Sequence, residues 1–143
     1  MKEKFKELLG LLQLADIRFM ESHEAVVFYP EELEKGEQAE VKTGQAFANE
    51  DPAVNNGNLL FRIKYEINFA VRGKDYFKTQ YVIAVIFTTS DLEKSLELLK
   101  DEKLKEVFIR QQLNRTLWTV LRGTVLDAFN RHSLKPLPLP WLM

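Results

Sequence analysis

At 143 residues the chain has room for one domain and little more, and a 45% hydrophobic content with ten Phe, four Tyr and two Trp supplies a substantial core. With 20 basic and 21 acidic residues the net charge is −1, so no global field draws the chain to nucleic acid or to an anionic membrane. The absence of cysteine excludes disulfides, thiol nucleophiles and thiolate metal sites, and it fits a reducing, cytoplasmic setting.

The first element is a short helix over residues 3–14, where Phe5, Leu8, Leu9 and Leu12 recur at three- and four-residue spacing. Leu8 to Ala15 is far shorter than the ~20 residues that cross a bilayer. Lys and Glu are mixed over Met1 to Glu7 and no small-residue cleavage site follows, so neither a leader nor membrane insertion is expected. From Asp16 the period becomes two: Ile17, Phe19, Ala25, Val27 and Tyr29 share one face of a strand, and Arg18, Ser22 and Glu24 the other. Pro30 ends it, because proline cannot donate to a ladder. A weaker strand follows at Glu37 to Phe47, then a loop at Asn49 to Asn58, rich in turn formers. Leu59 to Val71 alternates seven apolar positions with polar ones, the clearest strand in the chain. A turn at Gly73-Lys74-Asp75 leads to a hairpin partner, Tyr76 to Thr89. That partner is apolar on both faces around Val82 to Phe87, so both of its faces should be covered.

Ser90-Asp91-Leu92-Glu93 fits a capping box, with a short helix to Leu99. The charged stretch Lys100 to Lys105 predicts a kink or a second start, and one long helix runs from Val107 to Arg131. On a wheel its apolar residues fill an arc of about 200°, roughly twice what a helix lying on one sheet needs. The surplus is covered either by the amino-terminal helix and the proline-rich tail or by another subunit. The second case makes Leu113, Leu117, Trp118, Leu121 and Val125 candidate interface residues. The tail, Leu134 to Met143, alternates Pro with Leu and is expected to be extended. Strands followed by helices predict a single α+β domain, a four-stranded antiparallel sheet backed on one side by helices.

Catalytic constellations are missing. There is no Gly-x-Ser-x-Gly elbow and no glycine-rich phosphate loop, and the two histidines lie far apart. Glu21 and His23 share a strand face, but two ligands do not make a zinc site. His132, beside Arg131 at a helix carboxyl end, is favoured there by the helix dipole. No cofactor or metal is expected. Arg62, Lys64 and Arg72 form a basic row, yet the aromatics of that strand fall on the opposite face, unlike a sheet that stacks bases. What remains is apolar surface: Tyr29, Phe47, Tyr76, Phe77 and Trp141, at strand ends and in the tail, are candidates for a rim that accepts extended peptide.

The carboxyl half resembles the SecB family of protein-export chaperones, including its toxin–antitoxin-linked members. The resemblance lies in the element order and in Leu117-Trp118-Thr119-Val120-Leu121-Arg122-Gly123-Thr124-Val125-Leu126, where Arg122 and Val125 match a helical Arg and the β-branched residue after it. It continues through Arg131-His132-Ser133-Leu134 and the Pro-Leu alternation to Pro140. Thr119 stands where the family has proline, and His132-Ser133 where it has two glycines. The amino-terminal helix is an addition, and the family's last, groove-lining helix has no counterpart before Met143. The resemblance implies a non-enzymatic chaperone that holds unfolded or extended clients. It also implies dimers or tetramers built through the strands and the long helix, with an export or antitoxin component as a possible partner. Two alternatives are an adaptor for one dedicated protein partner, and a small-molecule site between sheet and helix lined by Glu66, Asn68 and His23.

Overall fold

Residues 2–30, 40–47 and 52–134 are described by a computed structural model, with backbone alone over 45–47. They form helix α1 (Lys2–Leu11), strands β1 (Leu12–Val26), β2 (Glu40–Phe47), β3 (Ala53–Asn55), β4 (Asn58–Val71) and β5 (Lys74–Thr89). Helices α2 (Leu92–Leu99), α3 (Glu102–Phe108) and α4 (Asn114–Arg131) follow, the last two joined by a π turn at Ile109–Leu113. All strand pairs are antiparallel, in the order β1-β5-β4-β2, and β3 pairs with the start of β4. This is the expected α+β architecture with one addition: β3, three residues long, lies within the stretch predicted as loop. Asn56 and Gly57, both at positive φ (52° and 80°), close it onto β4 as a two-residue hairpin turn.

The alternation of β4 holds as predicted. Leu59, Phe61, Ile63, Tyr65, Ile67 and Phe69 are buried, while Arg62 and Glu66 are exposed. The hairpin to β5 turns one residue earlier than predicted, on Arg72 and Gly73 (φ 52° and 76°). On the helix side, Phe61 and Phe87 meet Phe108 of α3 with ring centroids 5.6 Å away in each case. Phe69 and Phe77 meet Phe129 of α4 at 4.7 and 5.3 Å. Each such aromatic pair adds about 1 kcal/mol to the burial itself. The helix therefore runs along the β4–β5 pair from one end of the sheet to the other. On the opposite face Val82 and Ala84 are also buried. The register sets Ala84 between Arg18 and Arg62, and Val82 between Glu21 and Lys64. Aliphatic stems of neighbouring long side chains shield such positions without a second layer.

α1 ends at Leu11, short of the predicted Leu14, because Leu12, Gln13 and Leu14 already pair with Thr89, Thr88 and Phe87. Fully buried Leu8 and the ion pairs Lys4–Asp101 (3.5 Å) and Glu7–Lys94 (3.6 Å) fasten α1 to the other helices. The capping residue of α2 is Asp91, not Ser90: Asp91 accepts from the Lys94 N–H at 3.0 Å, while the Ser90 N–H donates to the Leu11 carbonyl. Asp101 caps α3, the predicted second start.

One-residue irregularities in β1 and in the long helix correct the sequence reading. In β1, Ala15 and Met20 have no partner across on β5, so each is an extra residue. Phe19 pairs with Ile83 on the helix side, but beyond Met20 it is Ser22, Glu24 and Val26 that share that side. Ala25 falls on the opposite face, not with Ile17 as expected. In the long helix, buried Leu104, Phe108, Leu113, Leu117, Leu121 and Val125 are spaced by four, except for a step of five across the π turn. The Asn114 N–H donates to the Ile109 carbonyl, five residues back. A single wheel drawn through the turn misplaces Ile109 relative to the residues after Leu113 by roughly 100°.

Candidate protein-binding surface

Among the described residues, the large exposed apolar side chains are Leu14, Phe19, Met20, Val27, Tyr29, Val54 and Leu126. Five of these seven lie on β1 or within three residues of its end. β1 is an edge strand, paired on one side with β5 and, among the described residues, with nothing on the other. Its 15 residues contain neither Lys nor Pro, so its protection rests on two bulges and on Asp16, Arg18, Glu21 and Glu24. At the far end, Tyr29 is 63% exposed. Just before it, Phe28 packs edge-on against Tyr76 at 6.2 Å, and the Val27 N–H continues the ladder to the Tyr76 carbonyl at 2.8 Å. The result is an open edge with two apolar groups, Leu14 to Met20 and Val27 to Tyr29, separated by exposed Glu21, Ser22 and His23 and ending in an aromatic corner.

The predicted site residues divide. Tyr29 is at the surface and Tyr76 lies beneath the same corner, nearly buried. Phe77 is fully buried, its ring against Phe69, Phe129 and His132. It belongs to the core, because its register with Phe69 turns it under α4. The Phe47 side chain and Trp141 lie outside the described residues. Leu113, Leu117, Leu121 and Val125 are at most 1% exposed and Trp118 is at 9%, all within one chain. Side chains enclosed by the sheet have no surface left for another subunit, so an interface on this helix would have to use others. Glu66, Asn68 and His23 do not converge between sheet and helix. Glu66 and Asn68 alternate with buried Tyr65, Ile67 and Phe69, and the register places His23 beside Gln80, the partner of Glu66, on the open face.

A polar cluster unforeseen in the sequence anchors this edge. The Glu24 carboxylate, on β1, accepts from Arg131 at 2.6 and 2.7 Å and from the Tyr81 hydroxyl at 2.7 Å, with His132 Nε2 at 3.2 Å. Its side chain is only 11% exposed. Burial opposes ionisation of Glu24, but the bonds from Arg131, Tyr81 and His132 outweigh it and hold the carboxyl below its ordinary range. Burial and the adjacent carboxylate push the Tyr81 phenol up, so it stays a donor. The end of α4 is thereby pinned to the edge strand. The helix closes there with the Leu134 N–H on the Phe129 carbonyl and Ser133 at φ 56°, the left-handed position that glycine more often fills. At its other end Asn114 accepts from the buried Tyr65 hydroxyl at 2.8 Å. Only the three-dimensional register brings Glu24 and Arg131, 107 residues apart, together. Among the described residues no three acidic or histidine side chains gather to hold a metal, and no helix is long and apolar enough to cross a membrane.

No family model matches the sequence, and no curated protein matches it. The fold nonetheless has a known type: an antiparallel sheet with a long helix along one face, as in the SecB-like chaperones. The SecB-like chaperone Rv1957 of Mycobacterium tuberculosis, solved in complex with a ChAD peptide from the Rv1956 HigA1 antitoxin, aligns with a TM-score of 0.70. The alignment covers 99% of this chain and 98% of that one at 20% sequence identity.

Proposed function

We propose that the protein is a polypeptide-binding chaperone of the SecB-like kind, acting as a cytoplasmic homo-oligomer on extended or unfolded segments of other proteins. One observation carries the reading: exposed apolar side chains are concentrated along a single unpaired strand, Leu14 to Tyr29, with an aromatic corner at its end. An extended segment can meet such a strip with main-chain hydrogen bonds and apolar contacts together. The fold it shares with a chaperone solved on an antitoxin peptide supports the same reading. At several-fold excess over an unfolded, aggregating client, the wild-type chain is expected to delay light scattering. The double variant Val27→Asp/Tyr29→Asp is expected to lose most of that delay. No delay by the wild type at any ratio would overturn the proposal.

The antitoxin peptide on the structural neighbour favours a second reading, an adaptor for one flexible segment of one partner. It predicts saturable capture of a single protein from the native host and no protection of generic clients.

A further inference from the structure

The chain's own tail starts beside the aromatic corner. α4 ends where Arg131 and His132 bond Glu24 of β1, and the His132 ring lies 5.3 Å from that of Phe77. Phe77 is next in sequence to Tyr76, which underlies the corner with Phe28 at 6.2 Å. Ser133, at φ 56°, and the Leu134 N–H on the Phe129 carbonyl then close the helix, and Leu134 is buried at 7% exposure. Residues 135–143, outside the described structure, continue from this point as Lys-Pro-Leu-Pro-Leu-Pro-Trp-Leu-Met, with a single charged side chain, Lys135. Glu24 and Tyr29 lie at most about 17 Å apart along the chain, at roughly 3.3 Å per residue. A proline-rich segment spans about 22 Å from Leu134 to Trp141, at roughly 3.1 Å per residue.

Resting on the proposed function, in which this corner receives polypeptide, we infer that residues 136–143 seat on the same corner of their own chain, against Phe28 and Tyr29, as a tethered competitor of clients. Val27 and Tyr29, at 56% and 63%, are the most exposed large apolar side chains among the described residues. The tail carries Leu137, Leu139, Trp141 and Leu142 to cover them. Proline suits such a seat, because a preformed left-handed extended chain loses little freedom when it lies on aromatic rings. The same prolines limit its hold. Pro136, Pro138 and Pro140 have no N–H, so the tail cannot complete a ladder with β1. A client that brings both apolar contact and a ladder displaces it. The tail therefore shields the corner between clients without closing it, and Trp141 belongs to the occupant rather than to the rim.

The test uses full-length chains and a fluorescein-labelled peptide of residues 135–143, read by anisotropy. Leu139→Ser/Trp141→Ser strips the tail of apolar contact and alters no described residue. A short tether supplies an effective concentration of about 1 mM. A tail with a free Kd of about 100 µM then holds its seat about nine-tenths of the time, so the tail variant should bind the peptide about tenfold more tightly than wild type. A chain that stops after Lys135 should do the same. Adding Val27→Asp/Tyr29→Asp to the tail variant should abolish peptide binding. Equal affinity in wild type and tail variant, no binding to the tail variant, or binding that survives the corner substitutions would each overturn the inference. A wild type that delays client aggregation, but binds the peptide as tightly as the tail variant does, sinks the tail contact and leaves the chaperone reading standing. A tail variant that gains the peptide yet protects no client keeps the contact and sinks that reading.

Discussion

The two edges of the sheet are built on different terms. The β1 edge is one strand of 15 residues, with exposed Leu14, Phe19 and Met20 among polar side chains, and is fastened to α4 through Glu24. The opposite edge is divided into β2 and β3, of eight and three residues. β2 carries exposed Lys42, whose Nζ reaches Asp75 at 3.6 Å, and an exposed glycine, Gly44. Short strands, lysine and glycine discourage further pairing, while a long strand without lysine or proline leaves more backbone open between its two bulges and its charged side chains. A sheet need not be protected evenly: this one is blunt on one side and receptive on the other.

The largest expected difference between the edges is in stability. Glu24→Ala removes three partners at once and leaves the buried Tyr81 hydroxyl without its acceptor, at a cost of about 3 kcal/mol. Thr43→Ala on β2, exposed and remote from such a cluster, should stay within about 0.5 kcal/mol. Urea denaturation of both variants makes the comparison, and equal losses would dissolve it. The same carboxylate gives a pH signature. Because folding depresses the Glu24 pKa from its ordinary 4.5, its stabilisation is complete above that value and is lost as pH falls through the lower folded one. Glu24→Gln should therefore flatten stability against pH in that acid range, and an unchanged slope would assign the acid sensitivity to other groups. Tyr65→Phe, which deletes the bond to Asn114 under the middle of the sheet, should cost about 1 kcal/mol without altering client retention. Smallest of all, Ser133→Gly should raise the melting temperature slightly, since glycine holds the left-handed position at the end of α4 without a Cβ penalty of about 1 kcal/mol.

Much of this fold was legible in the sequence because β4 keeps an unbroken period from Leu59 to Phe69. Six alternating apolar positions marked that strand, its hairpin partner and the face that α4 covers. The receptive edge was half legible. Ile17, Arg18 and Phe19 were placed correctly, but the extra residue at Met20 reversed every face after it, and no local pattern announces a bulge. The interface residues assigned to the long helix are core instead: Leu113, Leu117, Leu121 and Val125 recur every fourth residue, and that spacing drifts by roughly 40° per step, so core positions spread over an arc wide enough to look surplus. β3 was too short to show a period. Glu24 was invisible as an anchor because its partners come from β5 and from the far end of α4.

The π turn also bears on how the chain tolerates changes in length. It keeps Phe108 and Leu117 on one buried face although nine residues separate them, where an ordinary helix would space such positions by seven or eight. A one-codon deletion within Ile109–Leu113 therefore converts the turn to plain α-helix and returns both halves to the same side of the sheet. A one-codon deletion within α4 has no such slack and would turn Phe129 and Arg131 away from Phe69 and Glu24. Homologues that differ by a single residue should carry that difference at the π turn, where a gap in an alignment marks spare helix rather than a lost contact.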